Sequence, residues 1–409
     1  MKSIFIGILL FLSSFSDVFV KISDLKFFAY FDEILLAFIF INFLYHLYTN
    51  GKVNRFSKKI VISIVFFSAI TILVGKNNSY LNSFIQILIH LKLYFLIYYL
   101  DRNVDIKSIK KILKLFFSLI LIGFVLNLYF GENFNKFFEI KNDYRANILN
   151  ISGFQLNRNT LGLTLLLLVI LMYKQFEKNR KKLIIYISII SILILFTGSR
   201  TTLTILLITT VLLFYSKQSK KLKGFAIIII VSIIVPFGYL IKDSEYINLT
   251  NSNMKQINSD GGGGYIRGIM IYHGFQLANQ FFPLGTGSAT YGTVLSEGSI
   301  VYKELGIDNY YFMEEFKGVY DSNLASILGE FGYLGLLLFL MLTISIYTDL
   351  ELKDQSNKKY ILIVLLLILI YTVTAPILMS SNMAIILALI IHYFINSRSE
   401  KNEIYVSKF

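Results

Sequence analysis

The chain of 409 residues contains no cysteine and no tryptophan, only three prolines and four histidines. Without cysteine, neither a disulfide nor a thiolate metal centre can form. His46, His90, His273 and His392 are scattered, with no ligand spacing for a metal. Charge is also sparse: 16% of residues are charged against 55% hydrophobic, and the mean hydropathy is +0.64. A soluble core cannot absorb so much apolar sequence, so the composition predicts an all-α polytopic membrane protein. The net charge of +14 does not point to nucleic acid, because the basic residues fall in short clusters between apolar runs instead of on one polar domain.

A helix that crosses about 30 Å of hydrocarbon needs about 20 apolar residues. About twelve stretches approach that length, near 3–20, 27–48, 59–75, 80–100, 109–130, 159–175, 182–198, 200–216, 223–241, 323–347, 359–376 and 378–396. The first begins after one lysine, and Asp17-Val18-Phe19 offers no small-residue cleavage site, so it reads as a membrane helix and not a signal peptide. Alternate loops carry the lysines and arginines; 25 of the 39 basic residues fall on one side. By the positive-inside rule both termini are cytoplasmic and the protein is multi-pass. The chain thus divides into helices 1 to 9 (1–241), a large outer loop (242–322), helices 10 to 12 (323–396) and a cytoplasmic tail (397–409). The large loop lies between helices 9 and 10 and is too rich in aromatic and aliphatic residues to be a disordered tail. It reads as a partly folded cap.

Three arginines, Arg145, Arg200 and Arg267, fall on the outer face of a protein whose positive charge is otherwise kept inside. A guanidinium grips phosphate oxygens with a planar fork and never deprotonates; the alternative for each is snorkelling to the interface. Asp321 precedes helix 10 and is either a helix N-cap or a general base for a hydroxyl. Glu330, two turns further along, is costly in lipid and is expected to face the bundle interior. His273 is either a packed interfacial histidine or a site residue. The run Gly261–Gly264 lacks the Lys-Ser/Thr of a nucleotide loop and reads as a flexible segment. Pro283-Leu284-Gly285-Thr286-Gly287 reads as a tight turn that lets backbone approach a neighbour, and Gly332 and Gly335 as small residues for close helix packing.

Four pieces occur in order: Arg145 with Gly153-Phe154-Gln155-Leu156-Asn157-Arg158-Asn159; Thr197-Gly198-Ser199-Arg200-Thr201-Thr202; Arg267 ahead of Phe282-Pro283-Leu284-Gly285-Thr286-Gly287; and Asp321-Ser322-Asn323 leading into Leu328-Gly329-Glu330-Phe331-Gly332-Tyr333-Leu334-Gly335. In this arrangement the chain resembles the O-antigen polymerase and O-antigen ligase superfamily. The resemblance implies a GT-C-like fold and a glycosyltransferase that works on undecaprenyl-diphosphate-linked glycans at the outer leaflet, with no cofactor and no metal. It implies that Arg200 and Arg267 hold the lipid diphosphate, and it leads to Asp321 as the candidate base. Arg145, Asn159, His273 and Glu330 are candidate substrate-binding residues. Ligases of the family have a His-Asn pair where this chain has Asp321-Ser322-Asn323, which favours a polymerase of O-antigen or capsular polysaccharide. A ligase, or a flippase for lipid-linked oligosaccharide, is the alternative. The implied partners besides the lipid-linked glycans and membrane lipids are a flippase and a chain-length regulator; nucleic acid is not among them.

Overall fold

The computed structural model describes residues 2–50, 54–76, 79–145, 148–177, 179–215, 265–316 and 318–397. Helices α1 (Lys2–Ser14), α2 (Ser16–Ser23), α3 (Phe31–Asn50), α4 (Arg55–Val74), α5 (Tyr80–Asn103), α6 (Ile106–Phe130) and the short α7 (Glu132–Phe137) come first. A two-residue hairpin, β1 (Tyr144–Arg145) and β2 (Ile148–Leu149), leads into α8 (Arg158–Phe176), α9 (Arg180–Phe196) and α10 (Arg200–Tyr215). Next come α11 (Ile266–Gln280), the short α12 (Ile300–Glu304) and α13 (Tyr311–Glu314), then α14 (Asn323–Thr348), α15 (Lys358–Thr374) and α16 (Ser381–Asn396).

Among the described residues seven helices are long and apolar enough to cross a membrane, and an eighth if the bent pair α1 and α2 is one span. The protein is therefore a polytopic all-α membrane protein. Eleven of the twelve expected apolar stretches are helical, α10 and α16 being shorter apolar helices of 16 residues each; the expected helix at 223–241 lies outside the described residues, as do Gly261–Gly264 and the tail from 398. The expected first span differs in shape, since it bends by 73° at Phe15. Phe15 is buried there against Phe116, and its ring also meets Phe11. Apolar length reads the same for a straight helix and for one that bends to bury an aromatic ring.

The chain forms two units. The first comprises Met1–Asp32 with Asp105–Thr250, the second Glu33–Val104 with Asn251–Phe409. In the first unit Gly162 of α8 faces Thr202 of α10 so closely that a Cβ there would lie 2.3 Å from the Thr202 hydroxyl. Asn127 near the end of α6 accepts from the backbone N–H groups of Ser152 and Gly153 at 3.0 Å each, which fixes the segment that enters α8.

In the second unit α5 is the central helix: 83% of its apolar window is buried, against 22% for the helix at Lys26–Thr49. The basic ends of several helices gather at one end of the unit. Lys59 at the start of α4 pairs with Asp349 beyond α14 at 2.8 Å, Lys353 N–H donates to Ile395 of α16, and Asn396 donates to Asp101 of α5 at 3.2 Å. This grouping of α4, α5, α14 and α16 matches the alternation of loop charge.

At the opposite end α14 is broken. Gly332 has φ 61° and ψ −157°, a conformation essentially confined to glycine, and the helix resumes beyond it. The break leaves backbone groups of Gly329, Glu330 and Leu334 without helical partners, which in a membrane would cost several kcal/mol each. The turn 283–287 supplies the partners. Thr286 N–H donates to Gly329 C=O at 2.9 Å, Gly287 N–H to Glu330 C=O at 2.8 Å, and Leu334 N–H to Pro283 C=O at 3.3 Å. The turn thus approaches backbone, as its sequence predicts, and the backbone is that of α14. Gly332, expected as a small residue for helix packing, is instead the point where the helix opens. A Cβ on it would lie 2.4 Å from Pro283 C=O. We predict that Gly332→Ala lowers the stability of the detergent-purified protein by about 1–3 kcal/mol, the usual cost of such strain, whereas Gly298→Ala, also at a positive φ but with no neighbour within 4 Å of its new Cβ, costs less because it lacks the clash with the Pro283 carbonyl; thermal unfolding of the two variants measures the difference.

Candidate functional site

In the second unit, α11 lies against the first half of α14, and a Cβ on Gly274 would come within 2.9 Å of Ala325 C=O. Between them packs an apolar cluster that includes Ile269, Met270, Tyr291, Tyr302, Phe312 and Ala325. Tyr291 donates its hydroxyl to Met270 C=O at 2.7 Å, while its ring rests on Gly329. These contacts fix the register of α11 against α14, and with it the position of Arg267 in the first turn of α11.

Arg267 is placed beside Asp321. Its Nη2 lies 3.5 Å from Asp321 Oδ2, and its Nη1 donates to the Tyr265 hydroxyl at 3.2 Å. The N-cap of α14 is Ser322, whose Oγ accepts from Ala325 N–H at 3.4 Å, so Asp321 is left for the guanidinium. Burial pushes the Asp321 carboxyl above its ordinary range, and the Arg267 charge and hydrogen bond pull it back only in part. Its side chain still keeps 45% of its surface accessible, so the group is poised at an opening and not sealed. An elevated carboxylate beside a fixed cation is chemically suited to take a proton from a hydroxyl near a bound anion.

His273, further along α11, is 7% exposed. Its Nδ1 pairs with Gln276 Oε1 at 2.8 Å, which sets the tautomer with the proton on Nδ1. Nε2 is buried without a hydrogen-bond partner. Burial pushes the imidazole below its ordinary value, Gln276 offsetting part of this, so it is neutral at pH 7.

Glu330 faces the interior, as its cost in lipid requires, and is wholly buried. Oε1 accepts from Thr290 N–H at 3.1 Å and from the Thr293 hydroxyl at 3.0 Å; Oε2 meets His90 Nε2 at 3.0 Å. Its carboxylate therefore ties the 286–293 segment to α14 and to α5, and both oxygens are occupied by groups of the protein. His90 is the partner that the sequence conceals, 240 residues away. The available signal was a histidine between Gln86 and Lys92 in an apolar helix, all three now found buried.

In the first unit, Arg200 opens α10 and is half-buried. Ser199, the residue before it, donates its hydroxyl to Asn159 Oδ1 at 3.0 Å, and Thr202 donates to Ser199 Oγ at 2.9 Å. Asn157 caps α8 through Asn159 N–H at 2.8 Å and Thr160 N–H at 3.3 Å. Asn159 and the start of α10 are thus brought together, an association that the sequence showed only as two separate motifs. Arg145 lies in β1, opposite Ile148. Arg158 forms an ion pair with Asp143.

Removing the Glu330 carboxylate leaves Thr290 N–H, the Thr293 hydroxyl and His90 unmatched in a buried site, and each buried polar group left without a partner costs about 1–3 kcal/mol. Glu330→Gln keeps an acceptor oxygen for the threonines and offers His90 an amide. The expected order of melting temperature in detergent is wild type, then Glu330→Gln, then Glu330→Ala; equal melting of all three contradicts the clamp.

No curated protein matches the chain. A family model described as O-antigen ligase matches residues 184–340, a stretch that holds Arg200, Arg267, His273, Asp321 and Glu330 but neither Arg145 nor Asn159. This match, which runs from α9 through the broken helix α14, supports the resemblance to the superfamily of O-antigen polymerases and ligases.

Proposed function

We propose that the protein is a polysaccharide polymerase that joins undecaprenyl-diphosphate-linked repeat units at the outer face of the bacterial cytoplasmic membrane. The full chain then has twelve membrane helices in a GT-C-like arrangement, both termini in the cytoplasm, and residues 242–322 as an outer cap. The observation that carries the reading is the Arg267–Asp321 pair at the head of a buried interface, inside the stretch that matches the family.

In the proposed step, a hydroxyl of the incoming lipid-linked unit attacks the anomeric carbon of the growing glycan. A new C–O bond forms as the bond from that carbon to the diphosphate oxygen breaks. The bonding pair leaves on the lipid diphosphate, whose charge Arg200 and Arg267 offset. The hydroxyl proton passes to Asp321. Arg145 and Asn159 are proposed to contact substrate. His273 supports α11, and Glu330 acts as a positioning residue through the 286–293 segment. A flippase would supply the lipid-linked units, and a chain-length regulator would set how many are joined.

Asp321-Ser322-Asn323 in place of the His-Asn pair of ligases supports the polymerase reading. The description of the matching family model favours a second reading, transfer of finished glycan to another acceptor by the same chemistry. The glycan carried by a deletion strain separates the two: single repeat units on the final acceptor indicate a lost polymerase, and long glycan retained on the carrier lipid indicates a lost ligase.

Arg200→Ala and Arg267→Ala are each expected to slow chain growth by about 10²–10³-fold, the effect of removing one charge-stabilising donor, at unchanged membrane levels; normal surface polysaccharide in both strains rejects the assignment. For Asp321→Asn the expected loss is about 10²–10⁴-fold. A base works only when ionised, so the wild-type rate rises with pH through the elevated Asp321 pKa and then levels, and the initial rates of Asp321→Asn lack that rising limb.

A further inference from the structure

Arg267 is not saturated. Of its fork, Nη1 is used by Tyr265, Nη2 makes a single long contact with Asp321, and Nε is buried with no hydrogen-bond partner. Charge-assisted N–H···O bonds of a well-made pair are about 2.7–2.9 Å and often double. The pair at 3.5 Å is neither. It holds one carboxylate oxygen loosely where a phosphate group would offer several oxygens and more charge.

The two partners also differ in freedom. The Arg267 side chain is 20% exposed and the Asp321 side chain 45% exposed. Arg267 is fixed at the start of a helix locked to α14, while Asp321 lies in the short turn from Gly318 to Ser322. Its backbone there is pinned by Asp321 N–H to Gly318 C=O at 3.2 Å and by the Ser322 cap. Its carboxylate can therefore leave the guanidinium by side-chain rotation alone, toward the open side, with no change in the helices.

We propose that the Asp321 carboxylate is an internal occupant of the anion site at Arg267, and that the donor's diphosphate displaces it, so that donor binding is what frees the base. The proposal rests on the reading of Arg267 as a diphosphate ligand and adds an order to it. While paired, the carboxylate spends part of its charge on the guanidinium, which lowers its affinity for a proton below what burial alone would give. Once the diphosphate has taken the guanidinium, the released carboxylate stands beside an anion in a partly dehydrated site, and its affinity for a proton rises. Deprotonation of the acceptor is thereby tied to the presence of a leaving group.

The test is binding of inorganic pyrophosphate to the detergent-purified full chain, measured by calorimetry for wild type, Asp321→Asn, Asp321→Ser, Arg267→Ala and the Asp321→Asn/Arg267→Ala double variant. Thermal melting serves as the check on folding. An internal competitor worth one loose ion pair predicts that Asp321→Asn and Asp321→Ser bind about tenfold more tightly than wild type, about 1.4 kcal/mol, and that Arg267→Ala abolishes binding in either background. If Arg267→Ala abolishes binding while the Asp321 variants bind no more tightly than wild type, the displacement proposal is overturned and the anion site stands. If Arg267→Ala binds as wild type does, or no variant binds, the diphosphate reading of Arg267 falls and the proposal with it.

Discussion

The second unit depends on a repair. A membrane helix that opens in its middle must find new partners for its backbone before it can sit in hydrocarbon. In α14 the break at Gly332 is closed from outside the helix by the Pro283–Gly287 turn. The Glu330 carboxylate, two residues before the break, reaches beyond the turn to Thr290 and Thr293 and across to His90. The same segment is held at the end of α4 and the start of α5: Ser288 N–H donates to Thr71 Oγ1 at 3.1 Å, and Ser83 and Ser288 exchange hydroxyl-to-carbonyl bonds at 3.1 and 2.9 Å. Three helices and one loop thus share one polar network. Such networks stabilise when every member is satisfied and penalise heavily when one is lost.

From this repair the candidate site inherits its geometry. Tyr291 belongs to the clamped segment and binds the α11 backbone at Met270, and α11 carries Arg267 toward the turn that ends in Asp321. A buried carboxylate with no ligand to touch therefore acts on a guanidinium through the loop and helix between them. In the second unit the described part of the site is a guanidinium, a carboxylate of raised proton affinity and a phenol, which is sparse chemistry. Sparse chemistry is sufficient where the substrate brings its own leaving group and the protein needs only to steady charge and accept a proton.

What the sequence disclosed followed from length and sign. Apolar runs near the thickness of a bilayer mark helices, and the alternation of lysine-rich loops anticipates the helix ends that gather around Lys59, Asp349 and Lys353. Arg267 and Asp321 were each visible as polar residues at the margins of apolar sequence, but their pairing was not, because it is created by the docking of α11 on α14. The bend at Phe15 and the opening at Gly332 were hidden for a related reason. Hydropathy measures composition along a helix and is blind to a backbone that leaves it. Gly332 and Gly335 look alike in sequence, and only the first has a positive φ. The His90–Glu330 pair joins residues far apart in the chain, and neither carries a local signal of the other. Tyr265 is an aromatic residue beside a glycine run, and no periodic pattern marks it as the partner of Arg267.

In the proposed function this chain, by itself, lengthens a glycan on its lipid carrier. The most direct measurement is to reconstitute the purified protein in liposomes with an undecaprenyl-diphosphate-linked repeat unit as the sole glycan, and to follow both glycan length and free lipid diphosphate. The account predicts a ladder of products still attached to lipid diphosphate, with one lipid diphosphate released for each unit joined. Products that never exceed one repeat unit until a separate acceptor is added, or lipid-linked units that cross the bilayer without forming any glycosidic bond, would contradict it.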